Sequence, residues 1–166
     1  MTHFEVSFPV RYYETDQMSV VHHSNYIRYF EIARNQMMVD WGFPIERCEN
    51  EYGVMIPIVS VECRFKHPAR MGDVLTAVAE IDKVPLAKLL VRQAVYNQNG
   101  EVCAEGSVTL GFLDSKTFRP VPCPDILCHI IENHLNEKSY ADDLPPDARN
   151  LGDCRHRPGH PPALRR

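Results

Sequence analysis

Between Ser24 and Gly42 the chain carries a helical apolar pattern too broad for a surface helix, and this segment limits what the rest can be. Tyr26, Phe30, Ala33, Met37 and Trp41 recur at helical spacing. Ile27, Tyr29, Ile32 and Met38 widen that stripe well beyond a narrow amphipathic face. Arg28, Glu31, Arg34 and Asn35 supply the polar remainder, with Glu31 three residues from each arginine and placed for a structural ion pair. Ser24 is the expected N-cap, and Gly42 followed by Pro44 is the stop. A helix this apolar is expected to be buried along much of its length, so other elements must wrap it.

The flanks supply a sheet. Residues 3 to 13 alternate, with Phe4, Val6, Phe8, Val10 and Tyr12 on one side and His3, Glu5, Ser7 and Arg11 on the other. Residues 14 to 23 follow neither period and read as a loop. After a polar connection over 44–53, with room for one helical turn, Val59, Val61, Cys63 and Phe65 alternate with Ser60, Glu62 and Arg64. Two more strands are expected over Val74–Ile81 and Leu89–Tyr96, and Asn99-Gly100 marks a hairpin into a last one, Glu101–Leu113. The order is strand, long helix, then four antiparallel strands. That predicts an α+β domain in which a five-stranded antiparallel sheet wraps a long central helix. Residues 1–138 read as this domain, with Asp125–Glu137 a terminal helix. From Ser139 the composition shifts to Pro, Arg, Asp, Gly and His, and residues 139–166 are expected to be a disordered tail.

Composition excludes several classes. A net charge of −4, with a loose basic C-terminus as the only cationic stretch, gives no footprint for nucleic acid. The start MTHFEVSFPV lacks the basic and apolar regions of a secretory signal, and no run approaches the ~20 apolar residues of a membrane span. The expectation is a soluble, cytoplasmic protein. The six cysteines contain no C-x-x-C pair, so a disulfide framework is not expected. Cys123, Cys128 and His129 lie close together, but without a second ligand pair they predict no metal site. Cys63 and Cys103 fall within strand patterns, where cysteine serves as a small hydrophobe.

The stretch RYYETDQMSVVHHSNYIRYFEIAR, Arg11 to Arg34, carries the chemistry. Asp16 lies in a loop within eight residues of a helix start, whose unpaired N–H groups and partial positive charge suit a developing oxyanion. A nearby carboxylate there can attack a carbonyl or activate water. On spacing alone, the commoner reading of such an Asp is a turn or cap residue.

This stretch resembles the signature of the hotdog-fold acyl-CoA thioesterases of the 4-hydroxybenzoyl-CoA thioesterase and YbgC type. The matching residues are Tyr12-Tyr13-Glu14-Thr15-Asp16, Val20-Val21-His22-His23, Asn25-Tyr26 and Phe30-Glu31-Ile32-Ala33-Arg34, then Gly53 with Pro57, and Pro68 through Asp73. The resemblance covers about residues 4 to 118. Ser19 departs from it, standing where many relatives have Gly.

The resemblance implies hydrolysis of an acyl-CoA, with Asp16 as nucleophile or as general base for water. His23 would orient or hydrogen-bond the thioester, with backbone N–H groups around His23 to Asn25 polarising the carbonyl. Tyr13, Ser24, Asn25 and Tyr26 are the further binding candidates, with His22 turned to solvent. Tyr26, Tyr29, Phe30 and Trp41 also read as core. Glu31 reads as a structural ion-pair partner, although some hotdog thioesterases place their acid on this helix. Arg64, Lys66 and Arg70 suit CoA phosphates or a solvated basic rim. No metal or separate cofactor is implied, since CoA belongs to the substrate; acyl carrier protein is an alternative carrier. A homodimer or homotetramer is implied, with the acyl pocket between subunits. The rival functions are a hotdog hydratase or dehydratase acting on an acyl thioester, and a non-catalytic acyl-CoA-binding subunit.

Overall fold

A computed structural model describes residues 1–143, with side-chain surroundings as far as 137. Its elements in chain order are β1 (Phe4–Pro9), α1 (Ser24–Asp40), α2 (Ile45–Tyr52), β2 (Val54–Met55), β3 (Ile58–Phe65), β4 (Val74–Glu80), β5 (Lys88–Tyr96), β6 (Val102–Gly111), β7 (Leu113–Asp114) and α3 (Asp125–Asp143). Five strands form one antiparallel sheet in the order β1-β4-β5-β6-β3, and β2 pairs separately with β7. The expected α+β architecture is present, with α1 seated against β1, β4, β5 and β3.

The core follows the sequence periods. Tyr29, Phe30, Ala33 and Met37 turn inward from α1 and are buried to within 1% of complete. They meet the inward residues of the strands, among them Leu75, Ala77 and Ala79 of β4 and Val91 and Val95 of β5. The sheet, however, covers only one side of α1. Ile27, Ile32 and Val39 remain exposed on the other, so the helix is less buried than its composition predicts.

Other boundaries differ for identifiable reasons. β1 stops at Pro9 rather than 13, because Val10 turns its N–H to the Asp73 carbonyl and Tyr12–Glu14 form one 3-10 turn. Tyr12 is therefore 80% exposed, and Glu14 takes the inward place. Ser24 opens α1 as its first helical residue instead of capping it; its hydroxyl pairs with His22 Nδ1. Gly42, at φ +72°, does provide the stop. The connection over 44–53 holds a full eight-residue helix, α2, closed by Gly53 in the left-handed conformation. β3 lies at the sheet edge, so its apolar side is covered only at Val61 and Cys63, while Val59 and Phe65 are open.

α3 buries Leu127 and Ile131, stacks His134 on Trp41 at 4.6 Å, and continues past the boundary expected at 138. Residues 144–166, most of the expected tail, lie outside the described residues, as does Cys154. Burial pushes the free thiols of Cys48 and Cys103 up to about 11, so both pack as neutral small groups. Among the described residues no helix is long and apolar enough to cross a membrane.

Candidate active site

The loop between β1 and α1 is built around two carboxylates with opposite fates. Glu14 is buried: Arg11 N–H donates to its Oε2 at 2.7 Å, and Arg11 Nη1 approaches its Oε1 at 3.3 Å. The Glu14 carbonyl receives the Asn25 side-chain amide at 2.8 Å and the His22 N–H at 2.9 Å, fastening the loop to the start of α1. The Tyr29 phenol beneath is pushed far up, first by burial and then by the Glu14 charge. Glu14 therefore serves as an anchor.

Asp16 stands at the neck of a smaller loop that Thr15 and Val21 close by bridging antiparallel. Its N–H donates to the Val20 carbonyl at 2.9 Å, and its carbonyl accepts from Ser19 N–H at 2.9 Å. Its Oδ1 accepts the Met18 N–H at 2.8 Å, whereas Oδ2 has no hydrogen-bond partner among the described residues. The turn reading and the chemical reading of Asp16 are thus compatible: one oxygen fixes the side chain and the other remains open. Asp16 borders a cleft of about 760 Å³ shared with Tyr13, His22, Ser24, Asn25, Arg28 and Met71.

Ser19 completes this turn at φ +59°, a conformation costing a residue with a Cβ roughly 1 kcal/mol. Ser19→Gly is expected to stabilise the protein by about 0.5–1 kcal/mol, after part of the gain is offset by glycine's freedom in the unfolded chain. Thermal unfolding should move up by roughly 2 °C. A lower midpoint would show that the serine side chain is needed in the turn.

The helix start is less open than expected. Asn25 N–H closes on the His22 carbonyl at 2.9 Å and Tyr26 N–H on the His23 carbonyl at 3.3 Å. Ser24 N–H reaches His22 Nδ1 at 3.3 Å. The His23 N–H has no acceptor among the described residues, so it is the one amide of the expected trio left for a ligand. The side chains also divide differently: half-buried His22 borders the cleft, while the exposed His23 ring lies 4.0 Å from His22 and edge-on to Phe65 at 6.3 Å.

The remaining candidates do not all converge on Asp16. Tyr13 and Ser24 border the cleft; Asn25 does too, but its amide is committed to Glu14. Tyr26 is core, 4% exposed against Phe65 and Tyr29, and burial pushes its phenol up to about 12. Arg64 and Lys66 alternate with Phe65 and so point to the opposite face of the sheet, where Lys66 pairs with Glu105 at 2.9 Å. Arg70 alone of the three basic residues reaches the loop, donating to the Ser19 carbonyl at 3.4 Å. Glu31 forms no ion pair with Arg28 or Arg34 among the described residues; Arg28 Nη1 leans instead to Asn25 Oδ1 at 3.4 Å.

Residues 10–131, which hold the Asp16 loop, α1 and the strands behind it, match a known family model described as the thioesterase-like superfamily. The chain belongs to that superfamily. YneP of Bacillus subtilis is 30% identical over 112 residues, covering 68% of this chain and 80% of its own. The acyl-CoA thioesterase YbgC of Helicobacter pylori is 28% identical over 131 residues, covering 74% of this chain and 95% of its own. Among solved structures, the hypothetical protein TT1821 from Thermus thermophilus superposes with a TM-score of 0.72 at 32% identity, covering 78% of this chain and 98% of that one.

In this thioesterase-like chain the sequence reading missed Glu14, Arg28 and Met71 as neighbours of Asp16. A signal existed for Glu14, since it continues the even-numbered inward series from Phe4 to Val10. For Met71 the signal was its place in the Pro68–Asp73 match, but its approach to Asp16, fifty-five residues away, depends on the fold.

Proposed function

We propose that the protein hydrolyses acyl-CoA thioesters to CoA and a carboxylic acid, with Asp16 as the reacting carboxylate. What carries this reading is the division of labour within that one side chain. Oδ1 is tied to the Met18 N–H, and Oδ2 is unbonded beside a cleft that includes the start of α1. In the nucleophilic route Oδ2 attacks the thioester carbon, the C–S bond breaks, CoA leaves as a thiolate that takes a proton from solvent, and water then opens the Asp16 anhydride. In the general-base route Asp16 takes a proton from water as the water oxygen attacks the thioester carbon, the C–S bond then breaks, and the leaving CoA thiolate takes that proton from Asp16. Both routes put negative charge on the carbonyl oxygen, which the free His23 N–H and the partial positive charge of the α1 start would stabilise. The His23 ring, lying beside the His22 ring at the cleft, would orient the thioester, and Tyr13 and Arg28 of the cleft wall would border the acyl-CoA. Of the three basic candidates, Arg70 would meet a CoA phosphate, since it alone reaches the loop that holds Asp16.

The names of relatives such as YbgC support this substrate class. The proposal also takes acyl carrier protein as a second carrier and the cytoplasm as the site of action. Release of free CoA, followed with a thiol reagent over acyl-CoAs of increasing length, is the expected result. An enoyl absorbance change without CoA release would indicate a hydratase, and binding without turnover a non-catalytic subunit; either replaces the proposal.

The working form is a homodimer or homotetramer. Val59 and Phe65 on edge strand β3, and Ile27 and Ile32 on α1, are left exposed, and a second copy pairing along β3 would cover apolar surface of this kind. Light scattering should give a multimer mass at micromolar concentration. A monomer mass would remove the inter-subunit acyl pocket.

A further inference from the structure

Arg34 is a cation sealed into the fold without an anion. It is 5% exposed in the middle of α1, and its Nη1–H donates to Gln93 Oε1 at 3.1 Å. Gln93 in turn donates from Nε2 to the Phe30 carbonyl at 2.6 Å. Arg34 Nε and the neighbouring Asn35 Oδ1 are buried with no partner. Among the described residues no carboxylate forms an ion pair with Arg34, and Glu31 acts on it only from a distance. A buried guanidinium held by one neutral amide carries the desolvation penalty of an unpaired interior charge, which an anion would offset.

This charge lies beside an open space. A cavity of about 300 Å³ between α1, α2 and the ends of β3, β5 and β6 has Arg34 and Asn35 in its wall and Met37, Met38, Ile56 and Leu110 around it. That volume is at the small end of ligand sites. Apolar walls with one unpaired cation fit an anion that carries an apolar tail. Glu31 and Glu46, both exposed, border the same cavity and disfavour a dianion. No residue is shared with the cleft at Asp16.

We propose that this cavity binds a medium-chain monocarboxylate, with the carboxylate on the Arg34 guanidinium and the chain against Met37, Met38, Ile56 and Leu110. The acid product of the proposed hydrolysis belongs to this class. Neither Arg34 nor the cavity depends on that reaction, and the test requires no turnover.

The methionines provide separate reporters. With methyl-labelled Met in the full chain, Met37 and Met38 report on the cavity and Met71 on the Asp16 cleft. Titration with octanoate is expected to shift the Met37 and Met38 methyls saturably before Met71 moves. Binding of 1-octanol should be roughly tenfold weaker, reflecting the lost charged hydrogen bond. Arg34→Met should abolish the octanoate preference, and because that variant risks misfolding, Glu46→Gln serves as a second one. It removes a bordering negative charge at an exposed position and should tighten octanoate while leaving octanol unchanged. Equal affinity for octanoate and octanol would overturn the proposal, as would a response confined to Met71 or displacement of octanoate by inorganic phosphate. Met37 and Met38 methyls that ignore octanoate but move on dilution would show that a second copy of the chain covers the cavity instead.

Discussion

Asp16→Asn is expected to lower acyl-CoA turnover by roughly 100-fold or more, the scale of losing a positioned acid or base, while thermal unfolding stays within about 1 kcal/mol of wild type. The substitution separates the two roles of this side chain. Asparagine keeps an oxygen for the Met18 N–H, so the turn at Ser19 survives, but it lacks the charge that either attacks the thioester or accepts a proton from water. Glu31→Gln is the control. Glu31 is exposed and forms no ion pair among the described residues, so both turnover and stability should be nearly unchanged. An active Asp16→Asn together with a folded but inactive Glu31→Gln would move the chemistry onto α1. Full turnover in both would end the carboxylate mechanism. A single turnover in heavy-oxygen water divides the two routes, since only nucleophilic attack leaves label in the Asp16 carboxylate.

Gly106→Ala is expected to destabilise the fold by about 3 kcal/mol, the upper end of ordinary overpacking, and to lower the unfolding midpoint by roughly 10 °C. A Cβ at Gly106 falls 1.9 Å from the Glu62 carbonyl oxygen and 2.8 Å from its carbon. Both atoms are backbone, so β3 itself must shift. Gly106 pairs with Cys63 in the β3–β6 ladder and with Gln93 across β5–β6, which leaves β6 little freedom to yield. Gly111→Ala sets the scale: its Cβ meets only the Val59 side chain at 3.1 Å, which can rotate away, and the cost should stay below about 1 kcal/mol. Equal melting of the two variants would show that β3 moves freely. Because β3 is also the edge proposed to pair between copies, the Gly106 variant should lose multimer mass before it unfolds.

Much of this architecture was legible because its causes are local. The 3.6-residue period over Ser24–Trp41 and the two-residue period of the strands set which side chains share a face, and Asn99-Gly100 marked a hairpin that Gly100 at φ +78° and the Asn97 side chain close locally. Asp16 was legible through its motif, and the hydrogen bonds that fix its own backbone and Oδ1 lie within five residues of chain, although Ala69 and Arg70 also tie the loop down from afar. The helix cap was misjudged because the hydroxyl of Ser24 turned to His22, a competition between two near-equal local partners.

Placement across the sheet was a different matter. Phe65 and its neighbours Arg64 and Lys66 are adjacent in sequence, yet the pleat sends Phe65 toward Tyr26 and the two cations to the far side. Their sharing a site with Asp16 could be judged only once the register of β3 against β6 was known. The same holds for Arg34, which the helical pattern left among the polar residues beside Glu31. Its burial depends on Gln93, fifty-nine residues away, and its unpaired charge on a cavity whose walls come from two helices and three strands. Sequence by itself determined the element order, the inward faces and the loop that holds Asp16, because each depends on neighbours along the chain. The tertiary structure alone decided which charges meet, which stay unpaired and where space remains, because those depend on distances between segments that no local period encodes.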